Sequence, residues 1–211
     1  MCGVVLFVSS WRHCLIGYEF FAVMAPSITS TGDGGHLPAD QDQKSNCNSE
    51  LKPRCMGRCE IALGDVTHHN VQQLKRLNQA VFPVSYNDKF YKEVVTAGEL
   101  AKLAYFNDIV VGGVCCRIDV QNNVRRLYIM TLGTLAPYRR LGIGTMLLEH
   151  VISLCRRDPP IENIYLHVQV NNVSALDFYK RFGFDVVDTV QEYYKRIQPN
   201  SAYVLVKKIA H

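Results

Sequence analysis

The chain has 211 residues, of which 48% are hydrophobic and 20% are charged, an ordinary composition for a soluble globular protein. Its formal net charge of +4 suits an anionic small ligand but is too low to indicate a nucleic-acid-binding protein. Arg12, His13 and Glu19 interrupt the apolar stretch near the N-terminus, so we expect no membrane as a partner. Because of the low net charge, we also expect no nucleic acid as a partner.

The eight cysteines indicate a reducing compartment and no metal site. Cys115 and Cys116 are adjacent in a strand-like run, where successive side chains point to opposite faces, and both are typical of buried thiols. Cys55 and Cys59 lack the second ligand pair that a zinc site requires.

The N-terminal quarter of the chain differs in composition from the rest. Residues 26–53 are rich in Ser, Gly, Asp, Asn, Gln and Pro and contain almost no large apolar side chains, which favours disorder. We therefore predict a disordered N-terminal extension over 1–56, either a tail or the product of an upstream start, without a catalytic role. A single folded domain is predicted over 57–211.

The folded part begins with a strand and a helix. Residues 61–66 are typical of a short strand. Val71, Leu74 and Leu77 then recur at helical spacing, and Pro83 closes that helix.

Asn87 is predicted to cap a second, short helix that carries three apolar residues, Phe90, Tyr91 and Val94. The segment KLAYF-ND-IVVGGVCCRI predicts a hairpin that turns at Asn107 and Asp108. A second turn, over 121–123, leads into the strand RRLYIMTLGTL.

A longer helix follows the stretch RRLGIG, and the sequence Asp158-Pro159-Pro160 is predicted to end it. Its apolar face is expected to consist of Ile143, Leu147, Val151 and Leu154.

The remaining segments alternate between strands and a helix. NIYLHVQV and FDVVDTV are predicted strands, and NNVSALDFYKRF between them is a helix that Gly183 caps. Residues 202–207 form the last strand, which is expected to close the sheet. The order predicts an α/β fold with a mixed, mostly antiparallel sheet and flanking helices, in which two helices link parallel strands.

The stretch RRLGIG, residues 139–144, is suited to binding a pyrophosphate. A helix N-terminus carries unpaired N–H donors and a partial positive charge, and Gly142 and Gly144 let an anion approach that backbone. Arg139 and Arg140 add charge-assisted contacts. The stretch lacks the Lys-Ser/Thr of a Walker loop and the third glycine of a dinucleotide fingerprint. By itself the pattern is weak, because a glycine loop can simply start a helix.

Longer segments give this stretch a family context. LAPYRRLGIGTMLLEHV and NVSALDFYKRFGF resemble the GCN5-related N-acetyltransferase superfamily, whose members hold the pyrophosphate of acetyl-CoA on a Q/R-x-x-G-x-G/A loop. More narrowly, the chain is similar to the NatE-type N-alpha-acetyltransferases over about residues 57–208, in the segments FPVSYNDKFYKEV, RRLYIMTLGTLAPYRRLGIGT, NIYLHVQVNN and YYKRIQP. The resemblance implies the acyl-CoA N-acyltransferase fold, an N-acetyltransferase domain over 57–211 and acetyl-CoA as the cofactor.

The resemblance also implies an activity and partners. The expected reaction is acetylation of the α-amine of proteins that begin with Met followed by an apolar residue, so the expected partners are nascent or free protein N-termini. Association with the NatA complex and the ribosome, and a location in the cytoplasm and also the nucleus, are further implications. Two alternatives stay open: a CoA-binding subunit of the NatA assembly with low activity, and a lysine acetyltransferase. No carboxylate occurs within 127–135, where many lysine enzymes of the superfamily carry their base.

Tyr128 and His167 are the predicted catalytic residues. They lie on LYIMTLGTL and NIYLHVQV, two strands that would splay apart to admit the pantetheine arm, so that both side chains can face one slot. The resemblance implies that they handle the proton of the attacking amine through an ordered water. A histidine on a strand is otherwise more often a packed core residue.

The resemblance also assigns two sets of binding residues, although core packing remains the alternative for Tyr179 and Tyr193. Burial of a methionine side chain of the substrate among the substrate-binding residues would contribute about 1.5 to 3 kcal/mol. The cofactor-binding set is Met130, Leu132, Arg139, Arg140, Gly142, Ile143, Gly144, Thr145, Asn172 and Tyr179. The substrate-binding set is Phe82, Pro83, Val84, Tyr86, Met130, Tyr193, Tyr194 and Ile197.

Overall fold

A computed structural model describes residues 60–157 and 161–210. The predicted extension over 1–56, residues 57–59 of the predicted domain and the Asp158-Pro159-Pro160 stop lie outside this part of the chain. Within the described residues, no helix is long and apolar enough to cross a membrane. The same part of the chain contains no group of His, Cys, Asp and Glu side chains that could hold a metal ion.

The described residues form seven strands and four α-helices, apart from short single-turn helices. Their bounds are β1 (Ile61–Asp65), α1 (Val71–Val81), α2 (Asp88–Val95), β2 (Ala101–Phe106), β3 (Ile109–Gln121), β4 (Val124–Thr134), α3 (Ile143–Arg157), β5 (Ile161–Gln169), α4 (Val173–Arg181), β6 (Asp185–Val190) and β7 (Ala202–Lys208).

The strands form one sheet in the order β1-β2-β3-β4-β5-β7-β6. Only β4 and β5 pair in parallel, and the other neighbours are antiparallel, which confirms the predicted mixed, mostly antiparallel sheet. The expectation that the last strand closes the sheet is wrong, because β7 lies between β5 and β6 and leaves β6 at the edge. Helix α3 joins β4 and β5, which are parallel neighbours. Helix α4 joins β5 and β6, which β7 separates.

Local sequence accounts for the turns and caps. Asn87 accepts a hydrogen bond from the Phe90 N–H at 2.9 Å and begins α2, as predicted. Asn107 and Asp108 turn the β2–β3 hairpin with φ of 45° and 67°, a left-handed pair that suits the twist of antiparallel strands. Two further asparagines at 122–123 repeat this geometry between β3 and β4.

The end of α4 follows a Schellman pattern. Gly183 has φ of 75° and directly follows the cap residue Phe182. Its N–H donates to the Lys180 carbonyl at 2.9 Å, and the Phe184 N–H donates to the Tyr179 carbonyl at 3.2 Å. This reversal sends Phe184 into the core, where it is fully buried.

The sheet is covered on both faces by helices. Leu74 of α1 and Phe90 of α2 pack on one face in a cluster that includes Cys115. The helices α3 and α4 cover the other face, and Cys116 belongs to that cluster. Both thiols are buried on opposite faces, as predicted, and burial raises the pKa of Cys115 to about 12.

The buried face of α3 differs by one position from the prediction. Ile143, Leu147 and Val151 are buried as expected, but Leu154 is only partly buried and Cys155 is fully buried in its place. A spacing of four from Val151 to Cys155 keeps the α3 stripe over the twisted sheet, so the small thiol occupies the position assigned to leucine.

Candidate active site

The centre of the sheet opens between β4 and β5. Their parallel ladder ends where Tyr128 pairs with Tyr165, although β4 continues to Thr134 and β5 to Gln169. Beyond that pair, the two backbones turn unpaired N–H and C=O groups toward the gap, which is the splayed arrangement expected from the sequence.

A β-bulge in β4 accompanies this opening. Ile129 pairs with Cys116 and Thr131 pairs with Cys115, so Met130 is the extra residue on β4. A bulge bends its strand and increases the local twist. Since Met130 lies two residues after the last β4–β5 pair, the bend begins where the strands diverge.

The predicted catalytic pair meets in this gap. The Tyr128 hydroxyl lies 3.2 Å from His167 Nδ1, so both side chains face one slot. The hydroxyl of Tyr193, from the β6–β7 loop, lies 3.1 Å from the Tyr128 hydroxyl. The Tyr193 ring also stacks on the imidazole, with centroids 4.3 Å apart and planes 13° apart. Tyr193, assigned from the sequence to a substrate wall, is therefore the third member of a hydrogen-bonded Tyr193–Tyr128–His167 chain.

Burial fixes the charge state of this chain. Burial, and secondarily the positive charge of Arg117, lower the pKa of His167 to about 4, so the imidazole is neutral at neutral pH. Burial also raises the pKa of the Tyr128 phenol, and the hydrogen bond from Tyr193 partly opposes that rise. Burial likewise raises the pKa of the Tyr193 phenol, so all three groups are uncharged and available for hydrogen bonding at neutral pH.

A second layer of side chains supports the Tyr128 ring and was not anticipated from the sequence. Tyr165 stacks on Tyr128 with centroids 4.7 Å apart, and the Arg117 guanidinium carbon lies 4.9 Å from the Tyr128 centroid. Asp119 contacts both of these neighbours. The available signal was the alternation of Arg117 and Asp119 on one face of β3, but the pairing with Tyr165 depends on strand register.

The predicted pyrophosphate loop forms the N-terminus of α3. Arg140 and Gly142 both have left-handed backbones, with φ of 66° and 84°. The first helical hydrogen bond of this turn runs from the Met146 N–H to the Gly142 carbonyl at 3.0 Å. The N–H groups of residues 143–145 precede any helical acceptor, so they form a set of donors at the positive end of the helix. Arg139 and Arg140 are exposed beside them.

Apolar walls line the same cavity as this loop. The chain after α1 supplies Phe82, Pro83, Val84 and Tyr86, and the β6–β7 loop supplies Tyr193, Tyr194 and Ile197. Tyr86 stacks on Phe90 with centroids 4.6 Å apart, which fixes the first wall to α2.

Gly133 of β4 permits the close approach of the first wall. A Cβ at position 133 would lie 2.6 Å from Val81 Cγ1 and 2.9 Å from Phe82 Cζ. Only glycine allows the end of α1 and the Phe82 ring to sit this near the strand. The sequence did not single out this residue.

One cavity of about 1800 Å³ brings the predicted site residues together. Every residue of the catalytic, cofactor-binding and substrate-binding sets lines it except Ile143, whose side chain is fully buried in the core. Asn172 lines the cavity but is the N-cap of α4, since its Oδ1 accepts from the Ala175 N–H at 3.2 Å. Tyr179 lines the cavity, but only 6% of its surface is exposed, because it packs in the hydrophobic cluster that α3 and α4 form with the sheet.

Comparison with known proteins identifies the family of the chain. Residues 71–184 match the family model described as the acetyltransferase (GNAT) family. The chain is 66% identical over 149 residues to N-alpha-acetyltransferase 50 of Danio rerio, covering 71% of this chain and 89% of that protein. It is 64% identical over 154 residues to the probable N-acetyltransferase san of Drosophila melanogaster, covering 73% and 84%.

A solved structure has the same fold. The fold matches Arabidopsis thaliana Naa50, in complex with the bisubstrate analogue CoA-Ac-MVNAL, with a TM-score of 0.66 and 50% identity. The match covers 70% of this chain and 98% of that one. The family model, the two relatives and the common fold lead to one assignment: the chain belongs to the GCN5-related N-acetyltransferase superfamily and, within it, to the N-alpha-acetyltransferases.

Proposed function

We propose that this N-alpha-acetyltransferase transfers the acetyl group of acetyl-CoA to the α-amine of proteins that begin with Met followed by an apolar residue. The observation that carries the proposal is the 3.2 Å contact between Tyr128 and His167, in the same cavity as the loop that begins α3 and the apolar walls. The analogue bound to the Arabidopsis relative supports it, because its peptide part begins with Met and is joined to CoA.

The residues present fit acetyl-CoA. The helical N–H donors of residues 143–145, with Arg139 and Arg140, form a cationic site for the pyrophosphate. The unpaired backbone of β4 after Tyr128 offers hydrogen bonds to the pantetheine amides. When bound, acetyl-CoA supplies the acetyl group as a thioester.

Proton transfer is assigned to the Tyr193–Tyr128–His167 chain. An α-amine has a pKa near ~8, so roughly one molecule in ten is already neutral at pH 7. The neutral imidazole accepts hydrogen bonds, and Tyr128 connects it to the amine, directly or through a water. A lysine amine, with a pKa near ~10.4, costs roughly 3 kcal/mol more to neutralise, which favours the N-terminal substrate.

The apolar wall accounts for the preference for methionine. Phe82, Val84 and Ile197 line the cavity together with the tyrosines of the β6–β7 loop. Burial of a methionine side chain there contributes about 1.5 to 3 kcal/mol, whereas a serine side chain gains little from the same wall.

A peptide panel tests the proposal. The purified full chain is incubated with acetyl-CoA and with Met-Leu, Ser-Ser and N-blocked lysine peptides, and products are quantified by mass spectrometry. We expect acetylation of the Met-Leu α-amine, and a fall in kcat of about 100-fold in Tyr128→Phe and His167→Ala. Product from the lysine peptide alone would overturn the proposed substrate. CoA binding without product from any peptide would instead favour a low-activity CoA-binding subunit.

We further propose that the enzyme is of the NatE type, works in the cytoplasm and nucleus and associates with the NatA complex and the ribosome, as the resemblance of its sequence implies. The test is sedimentation of the tagged chain with ribosomes, with and without the NatA subunits. Recovery only at the top of the gradient under both conditions would contradict this association.

A further inference from the structure

The Tyr128 ring has a strand neighbour on each side. Arg117 of β3 and Tyr165 of β5 both pair in register with Tyr128, which places all three side chains on one face of the sheet. The Tyr165 ring is stacked on the phenol, at 4.7 Å between centroids and 30° between planes. The Arg117 guanidinium carbon lies 4.9 Å from the phenol centroid.

Asp119 ties these two neighbours together across β4. Its Oδ1 lies 2.9 Å from Arg117 Nε, and Arg117 Nη2 donates to its Oδ2 at 3.3 Å. The Tyr165 hydroxyl donates to the same Oδ2. One carboxylate therefore holds the polar ends of both groups that contact the Tyr128 ring.

Asp119 has no direct access to the reacting groups. Arg117 and Tyr128 line the cavity, whereas Asp119 and Tyr165 are not among its lining residues. Any effect of Asp119 on the reaction must therefore pass through the side chains that it holds.

We propose that Asp119 is a positioning residue for acetyl transfer: by binding Arg117 and the Tyr165 hydroxyl, it fixes the Tyr128 ring so that the phenol stays on His167. The proposal rests on the function proposed above. A tyrosine side chain has two rotatable bonds, χ1 and χ2. Rotation about either bond would break the 3.2 Å contact between the Tyr128 hydroxyl and His167 Nδ1. Small displacements of a catalytic group cost much of its effect, so the neighbours of such a ring must themselves be fixed.

The test is a double-mutant cycle between Asp119→Asn and Tyr128→Phe, measured with saturating acetyl-CoA and a Met-Leu peptide. Asp119→Asn keeps the size of the side chain and removes its charge. We expect it to lower kcat about five- to twenty-fold, with both KM values changed less than about two-fold. In the Tyr128→Phe background, where no hydroxyl is left to position, the same substitution should change kcat by less than about two-fold.

Two further variants complete the design. Tyr165→Phe removes one oxygen and keeps the stacked ring, so it should lower kcat in the same direction and be non-additive with Asp119→Asn. Asp185→Asn, an exposed carboxylate on β6, is the matched control and should keep the wild-type kcat. Melting temperatures are recorded for each protein, and Tyr165→Phe takes the place of Asp119→Asn in the cycle if the latter fails to fold.

The outcomes separate this inference from the proposed function. A wild-type chain that does not acetylate the Met-Leu peptide contradicts the function itself. With an active wild type, an unchanged kcat in Asp119→Asn overturns the positioning role. An equal loss of kcat with and without the Tyr128 hydroxyl also overturns it, because Asp119 would then act independently of that hydroxyl.

Discussion

The Tyr128 hydroxyl contacts Nδ1 of His167 at 3.2 Å, although the two residues are 39 positions apart and lie on different strands. The contact is made just beyond the point where the β4–β5 ladder ends, at the Tyr128–Tyr165 pair. The divergence of the two backbones opens the cleft. The register places Tyr128 opposite Tyr165, and His167, two residues further along β5, lies on the same face of the sheet.

The Tyr193 hydroxyl is predicted to contribute to turnover beyond the packing of its ring. Tyr193→Phe removes the hydrogen bond to Tyr128 but keeps the stack on His167. We expect a fall in kcat of about three- to ten-fold with little change in the peptide KM, since one neutral hydrogen bond is worth about 1 kcal/mol. Tyr193→Ala should also raise the peptide KM. Tyr203→Phe on β7 serves as the control, and equal kinetics for Tyr193→Phe and wild type would contradict the prediction.

The pH profile of kcat/KM should follow the substrate and not the imidazole. Because the pKa of His167 is lowered to about 4, its protonation lies below the usual assay range. We expect kcat/KM to rise with pH and to level off above the amine pKa of ~8. We expect no separate inflection from histidine between about pH 6 and 7. The measurement uses Met-Leu peptides whose amine pKa values differ. An inflection near 6.5 that is independent of the peptide and absent from His167→Gln would count against a buried neutral imidazole.

The same pKa has a consequence for stability. A histidine whose folded pKa lies below its unfolded value of 6.5 stabilises the fold above pH 6.5, and this stabilisation is lost as pH falls toward 4. Lowering the pH from 7.5 to 5 should therefore cost the wild type about 2 kcal/mol through His167. Urea unfolding at both pH values gives the loss in wild type and in His167→Gln. If both proteins lose the same free energy, His167 is not the group responsible.

Gly142 is predicted to be required for its backbone geometry and not for space. Its φ of 84° is disfavoured for side-chain-bearing residues, yet a Cβ at this position would meet no atom within 4 Å. Gly142→Ala should weaken CoA binding by about 1 to 2 kcal/mol, whereas Gly142→Asn should weaken it less because asparagine tolerates the left-handed region. Calorimetric titration with CoA measures both. Equal affinity losses for the two variants would point to crowding by the ligand instead.

Local sequence signals predicted most of the elements, because the causes of those elements are local. The Asn87 cap, the Asn107–Asp108 turn and the glycine that ends α4 each act within a few residues. The position of β7 inside the sheet was mispredicted, since strand order depends on pairing between segments that are distant along the chain. Length and apolar pattern do not contain that information.

The candidate site was predictable in its residues but not in its connections. Placing Tyr128 and His167 in one slot required only that two parallel strands diverge. The hydrogen bond from Tyr193 and the brace formed by Asp119 and Tyr165 depend on register and on the path of a loop. The bulge at Met130 depends on how β4 pairs with β3, so the sequence of β4 alone does not predict it.

Gly133 illustrates such a long-range requirement and gives a direct test of the substrate wall. Gly133→Ala places a methyl group 2.6 Å from Val81 Cγ1 and 2.9 Å from the Phe82 ring, so these side chains or the end of α1 must shift. We expect a loss of about 1 to 3 kcal/mol in the free energy of unfolding and a raised peptide KM, with the affinity for CoA unchanged.

The double variant Gly133→Ala/Val81→Ala removes the nearer of the two clashing atoms and should recover part of both losses. Urea unfolding, peptide kinetics and CoA titration on the single and double variants measure each effect separately. A Gly133→Ala protein with normal peptide KM but weakened CoA binding would mean that this glycine serves the cofactor slot and not the Phe82 wall. The crowding of Phe82 by the new methyl group remains in the double variant, which is why recovery should be partial.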